Sequence, residues 1–309
     1  MKKFWLKFRG PIIILLCTFV WGTTFVAQTT GSDSVEPFTF TGIRFLISGV
    51  VFLIVTLVIR IIKHDFKLPP KRTILIGLLI GVILYLGACL QQYGIKLTKS
   101  PSKSAFITSL YIVFVPILGV FFKKKVKPQV IICIIVAMVG SFLISTNGEM
   151  KLVTGDLLTL ACAVCYAAQI VLIDLIVDDI SSIELCMIQF LVCGFLSIIT
   201  CFIVKEPITM EGLGKAMPSI LYAALLSGCI GFLFQVIGQR YTEPALASLL
   251  MSFETIFALA AGYIVLDEKL SGLQIAGALL IFSAVVVAQI DFKALFRKKK
   301  KLENETPDA

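Results

Sequence analysis

The sequence predicts an all-α integral membrane protein of ten transmembrane helices in two inverted five-helix repeats. Three observations predict it: a composition too apolar for water, ten apolar runs of membrane-spanning length, and one offset of 144 residues that lays one half of the chain over the other.

Of 309 residues, 58% are hydrophobic and 15% charged, and mean hydropathy is +0.98. Water-soluble chains carry roughly 25% charged residues, and a chain of this length cannot hide so much apolar surface, so lipid is the solvent that fits. The 28 Lys and Arg against 19 Asp and Glu give a formal charge of +9. A basic balance can mean nucleic acid. Here the cations sit in short clusters between apolar runs, the pattern of membrane orientation, and no nucleic-acid partner is expected.

A bilayer crossing takes about 20 apolar residues. Breaking the runs at charge, Pro and Gly gives spans 11–30, 38–59, 73–95, 104–122, 129–146, 155–176, 182–204, 217–238, 244–265 and 272–290. The first begins after Lys2, Lys3, Lys7 and Arg9, as a secretion signal would. Its run is longer than a signal's and no small-residue cleavage site closes it, so it reads as a membrane helix. With the N-terminus cytoplasmic, 20 Lys and Arg fall inside and seven outside, with Arg44 within a span. That bias puts both termini in the cytoplasm and the chain in the cytoplasmic membrane. Two loops run against it: the outer loop with Lys96, Lys99 and Lys103 is basic, and the inner loop with Asp178 and Asp179 has no cation.

Shifting by 144 residues carries Gln91 onto Gln235, Gly94 onto Gly238, Thr98 onto Thr242, Ser104 onto Ser248 and Ile112 onto Ile256. It also matches the ends of all five spans without a gap. The expected division is 1–146 for the first repeat, 155–290 for the second and 291–309 for a basic, then polar, cytoplasmic tail with a disordered end. Five is odd, so the second repeat sits upside down relative to the first. Inverted repeats recur in secondary transporters, with the binding site near the midplane between them, because two such bundles can exchange an inward-open and an outward-open state.

Four segments carry a family resemblance. Trp21-Gly22-Thr23-Thr24-Phe25-Val26 resembles the first-helix motif of the EamA-type members of the drug/metabolite transporter superfamily, and Arg44-Phe45 resembles that family's arginine motif. Tyr241 to Ser248 with Glu254 resembles the start of its ninth helix, and Asp267-Glu268-Lys269-Leu270 the polar break before its tenth. The family usually has Pro after the ninth-helix Glu. Thr255 stands there instead, which weakens the expectation of a proline kink. The resemblance implies a transporter of metabolites or amino acids, commonly an exporter, and does not name the cargo.

Ionisable groups inside a span are costly and mark function by default. Arg44 lies seven residues past Pro37, and Glu254 ten past Pro244, near the midplane. Arg44 is expected to face the bundle interior, either as a clamp on backbone carbonyls or with its planar fork on a substrate carboxylate; both readings stand. Glu254 is expected to border the cavity, and a change in its protonation there would couple transport to protons. Trp21, Thr24 and Gln28 share one helical face, as do Tyr166 and Gln169, while Tyr85 and Tyr111 sit mid-span. These nine residues are the candidate cavity set, although helix–helix hydrogen bonding accounts for the polar ones equally well.

The rival readings lack residues. An intramembrane enzyme needs a catalytic set, and His64 is the one histidine and lies in a loop. The nine cysteines fall in or beside apolar runs, where Cys162 and Cys165 read as small hydrophobes rather than a metal or redox pair. A channel's repeated filter and a receptor's soluble domain are also missing, as is a nucleotide-binding loop. The expectation is therefore a transporter with a small-molecule substrate, no cofactor and no enzymatic activity. Substrate, direction, coupling ion and oligomeric state stay open.

Overall fold

The computed structural model describes residues 2–65, 67–146, 153–265 and 270–290. Within them the chain is helical, without strands. The helices are α1 (Lys2–Gly31), α2 (Pro37–Lys63), α3 (Lys71–Thr98), α4 (Pro101–Phe121) and α5 (Pro128–Thr146), then α6 (Thr154–Ile176), α7 (Ser182–Val204), α8 (Met210–Gln239), α9 (Pro244–Val265) and α10 (Gly272–Gln289).

Local chemistry sets the boundaries. Pro37, Pro101 and Pro244 open α2, α4 and α9, where a missing N–H costs no helical bond. Ser100, Ser181, Thr209 and Ser271 accept backbone N–H bonds ahead of α4, α7, α8 and α10. His64, Lys99 and Lys205 end α2, α3 and α7 in the left-handed conformation. Two helices begin well before their expected spans: α1 at Lys2 rather than at residue 11, and α8 at Met210 rather than 217. Hydropathy reports the lipid-embedded length only, and a helix can continue beyond it. The added turns of α8 carry Glu211 and Lys215, paired one turn apart at 2.6 Å.

The bundle is apolar outside and polar inside. Ile54, Ile61 and Ile62 of α2, Ile132 of α5 and Leu279 of α10 are each more than half exposed. Gln28, Arg44, Gln92, Gln169, Gln189, Gln235 and Glu254 are buried. A helix pairs most of its backbone groups internally, the condition for crossing lipid. All nine cysteines are free thiols, Cys162 buried and Cys165 half-buried.

The packing has two-fold character. α2 lies on α7, α5 on α10 and α4 on α9. α3 packs against α6 and α7, and α8 packs against α1 and α2, which is the same pair of contacts moved five helices along. α3, α4 and α6 therefore form one bundle and α8, α9 and α1 its counterpart. Glycines set the closest crossings. A Cβ on Gly140 of α5 would lie 2.5 Å from the Gly277 carbonyl of α10, and a Cβ on Gly155 of α6 would lie 2.7 Å from the Gly94 carbonyl of α3.

The end of the molecule where α1 begins is called the near face here, the other end the far face. The expected tail from Asp291 and the motif residues Asp267, Glu268 and Lys269 lie outside the described residues.

Candidate functional site

Three irregularities meet between the two bundles. α4 is interrupted at Leu110 and α9 at Ser252. No proline stands at the second break. Ser252 gives its hydroxyl to the Leu249 carbonyl at 2.7 Å, and Thr255 N–H bonds back to the Ser252 carbonyl at 3.2 Å, tightening the turn. The breaks face each other, with Thr255 Oγ1 and Ser109 Oγ 3.4 Å apart. Tyr111 opens the second half of α4, and Glu254 sits in the first turn of the second half of α9. The third irregularity is a π-helical stretch of α8, Ala223–Gly231, a form often found at functional sites.

These features surround a small cavity with about 40 Å³ free to the centre of a water molecule, room for a few waters. Its walls are Trp21, Thr24, Phe25 and Gln28 of α1, Arg44 of α2, Gln91 of α3, and Thr108 and Tyr111 of α4. The second half of the chain adds Tyr166, Gln169 and Ile170 of α6, Ser227, Phe232 and Gln235 of α8, and Glu254 of α9. Trp21 comes close because Gly231 faces it: a Cβ there would lie 2.5 Å from the indole nitrogen. That N–H donates to the Ser227 carbonyl at 3.4 Å, inside the π-helical stretch.

Amides line two sides. Gln28 donates to Gln91 at 3.3 Å and to Gln92 at 2.9 Å; Gln91 donates to Thr108 and accepts from the Tyr166 hydroxyl, both at 3.2 Å. Across the cavity Gln235 donates to Gln169, which donates to Gln189, both at 3.3 Å.

The charged groups are not satisfied in this way. Arg44 is 4% exposed, and its guanidinium carbon lies 4.6 Å from the Phe45 ring centre and 5.6 Å from that of Phe40. Its Nε has no hydrogen-bond partner, and among the described residues it makes no ion pair. Glu254 is 1% exposed, with Oε1 likewise unpartnered. The Tyr111 hydroxyl neighbours this carboxyl but has no close hydrogen bond either, and Gln235 Oε1 is a further buried acceptor without a donor. Isolated buried polar groups of this kind cost several kcal/mol each, so four around one void need an account.

Eight of the nine candidate residues from the sequence line this cavity: Trp21, Thr24, Gln28, Arg44, Tyr111, Tyr166, Gln169 and Glu254. Tyr85 does not. It faces α7, its hydroxyl 2.7 Å from that of Thr200. The lining residues outside that set are Phe25, Gln91, Thr108, Ile170, Ser227, Phe232 and Gln235. Gln91 and Gln235 had a legible signal, since the 144-residue offset superposes them. Ser227 did not, because its role comes from a backbone carbonyl. The repeat otherwise frames the site without repeating its chemistry: the same offset pairs Arg44 with Ile188, Glu254 with Leu110 and Trp21 with Cys165.

A second, open space of about 620 Å³ lies at the near face between the ends of α4, α6 and α8 and the start of α9. Val115, Asp174 and Gln239 on its floor are each one turn from Tyr111, Ile170 and Gln235 of the small cavity. At the far face, Lys103 pairs with Asp156 at 2.7 Å, and Lys96 with Glu36. Glu206 accepts the Phe38 and Thr39 N–H groups at 3.0 and 2.8 Å and the Tyr93 hydroxyl at 3.2 Å. Several charges of the two loops that ran against the charge bias are paired. The far-face lysines Lys96 and Lys103 are paired with acids. At the near face Asp179 pairs with Arg72 at 3.1 Å, and Asp178 stands 4.0 Å from Arg240.

Comparison with known proteins agrees with this architecture. The model of the EamA-like transporter family matches twice, over residues 8–146 and 153–289. An uncharacterized transporter of Archaeoglobus fulgidus is 28% identical over 279 residues, covering 90% of this chain and 84% of its own. A probable amino-acid metabolite efflux pump of Salmonella typhimurium is 24% identical over 301 residues, covering 92% and 96%. A solved crystal structure superposes with a TM-score of 0.76 at 18% identity, covering 91% of this chain and 98% of its own, a likeness of fold.

Proposed function

Because this chain belongs to the EamA-like transporter family, we propose that it is a secondary transporter that exports a small metabolite, an amino acid or related compound, by alternating access through the cavity between its two bundles. One observation carries the reading: Arg44 and Glu254, opposite in charge and both buried, line a single small void without pairing with each other. A structural clamp would saturate its own hydrogen bonds, whereas a binding site leaves them for its ligand. Each repeat, 1–146 and 155–290, supplies helices to both bundles, so tilting one bundle against the other opens one face as it closes the other. The open space at the near face and the ion pairs at the far face correspond to a form closer to opening on the near side. By the Lys and Arg bias the near face is cytoplasmic, with both termini, in the cell membrane.

An amino-acid cargo fits the inventory of guanidinium, carboxyl, amides and aromatic rings, and the efflux pump of Salmonella typhimurium supports it. Protonation of Glu254 in one half of the cycle would tie export to the proton gradient. The deciding experiment is flux of labelled amino acids and related metabolites in proteoliposomes, with and without a pH gradient. Arg44→Ala and Glu254→Gln run beside the wild type. Saturable flux lost in both variants supports the reading. Unsaturable flux would indicate a channel, and no flux in folded protein a membrane scaffold or receptor. Flux that ignores an imposed pH gradient removes the proton coupling alone.

A further inference from the structure

We infer that the cavity recognises its ligand as a dipolar ion, with Arg44 holding a carboxylate and Glu254 a primary ammonium, so that compounds bearing either charge alone are rejected. The inference rests on the transport reading for its biological sense, but on the cavity alone for its chemistry.

The argument begins with what is unsatisfied. The guanidinium of Arg44 is held by the rings of Phe40 and Phe45 and makes no hydrogen bond among the described residues. Those ring contacts steady the cation without using its N–H groups, leaving a planar fork whose natural complement is a carboxylate. On α8 and α9, Gln235 Oε1 borders the same void without a donor, and so does the Glu254 carboxyl, whose near neighbour is the Tyr111 hydroxyl. A primary ammonium has three N–H donors and no acceptor, so it suits these acceptors, and the carboxyl among them supplies the opposite charge. The remaining amides, Gln28, Gln91 and Gln169, bond one another and the protein. The unpartnered groups thus divide into one donor set on α2 and one acceptor set on α8 and α9.

The electrostatics then exclude half-matched ligands. A carboxylic acid without an amine would satisfy Arg44 and bury a second anion beside Glu254. An amine without a carboxylate would satisfy Glu254 and leave Arg44 buried and alone. Each leaves the penalty of an unpaired buried charge, and only a ligand with both removes it. The other walls, among them Trp21, Phe25, Ile170 and Phe232, are apolar or aromatic and offer the ligand's side chain a place. The void holds a few waters, so binding must widen it, and the ligand's own charges are the groups able to draw the two poles onto it.

The test is ligand-induced thermal stabilisation of the purified full-length protein. The probes are the twenty proteinogenic L-amino acids and, for each, the matching primary amine and 2-hydroxy acid. The expected result is that one or more amino acids raise the melting temperature, and that their amine and hydroxy-acid counterparts fail to do so at tenfold higher concentration. Arg44→Lys, which keeps charge but not the fork, weakens the amino acid about tenfold, the loss of one strong polar contact. Glu254→Gln brings amino acid and hydroxy acid to within a few-fold of each other, and Tyr111→Phe gives a smaller version of the same shift should Glu254→Gln fail to fold. Stabilisation by an amine or hydroxy acid equal to that by its amino acid overturns the inference, as does a response to none of the amino acids. Saturable flux of a compound with one charge or none would overturn it while leaving the transport function intact. Absence of all flux alongside amino-acid binding would do the reverse.

Discussion

Lys103 Nζ donates to Asp156 Oδ2 at 2.7 Å, joining the first turns of α4 and α6 at the far face. The carboxylate is 2% exposed, accepts the Val153 N–H at 2.8 Å and Thr98 Oγ1 at 3.4 Å, and stands at the N-terminus of α6, where the helix dipole favours an anion. Removing Asp156 deletes the ion pair and both of these hydrogen bonds at once. Asp156→Ala is expected to destabilise the protein by about 3–5 kcal/mol. The pair Lys103→Met with Asp156→Leu should recover a large part of that. Denaturation in a mild detergent checks both, and equal losses in the single and double variants would count against a coupled pair.

The α5·α10 contact is set by backbone proximity. A Cβ added at Gly140 would meet the Gly277 carbonyl at 2.5 Å and Ile281 and Leu280 at 3.0 Å. The backbone there cannot yield without separating the helices. Gly140→Ala should cost about 1–3 kcal/mol, and Gly140→Leu should abolish folded expression. Fluorescence-detected size-exclusion chromatography reads both. Near wild-type melting for Gly140→Leu would show that this crossing is looser than described.

Tyr85 and Tyr111 separate packing from binding. Tyr85 shares a hydrogen bond with Thr200 away from the cavity, while Tyr111 lines it beside Glu254. Tyr85→Phe should lower stability by about 0.5–1.5 kcal/mol, one hydrogen bond, with substrate affinity unchanged. Tyr111→Phe should weaken the substrate several-fold at nearly unchanged stability, since its hydroxyl is already unpartnered. Flux titrations beside melting curves test the pair, and the opposite pattern would exchange their roles.

Access should differ between the faces. Tyr241 and Glu243 are exposed at the open space of the near face, whereas Ser104 at the far end of α4 is fully buried. With reactive native cysteines replaced, a hydrophilic maleimide should label Glu243→Cys from the near side many times faster than Ser104→Cys from the far side. The same reagent in right-side-out and inverted vesicles assigns the near face to the cytoplasm. Faster labelling of Ser104→Cys would place the resting form open to the far side.

The sequence by itself determined the solvent, the spans and the inversion. Ten apolar runs can satisfy their backbones in lipid only as helices, and one offset through both halves imposes opposite orientation on an odd-numbered repeat. It also determined that Arg44 and Glu254 needed a reason to be in a membrane, because their insertion cost is a property of residue type and depth. Only the tertiary structure decided which polar residues share a cavity. Tyr85 and Tyr111 are both mid-span tyrosines, and the difference between them is the neighbour each helix presents: α7 with Thr200 for one, the break in α9 with Glu254 for the other. The break at Ser252, the π-helical stretch beside Trp21 and the Ser227 carbonyl that accepts the Trp21 N–H were equally hidden, since they arise from packing between helices far apart in the chain. Hydropathy records how a residue meets its solvent, and burial between helices replaces that solvent with particular neighbours, which no one-dimensional pattern specifies.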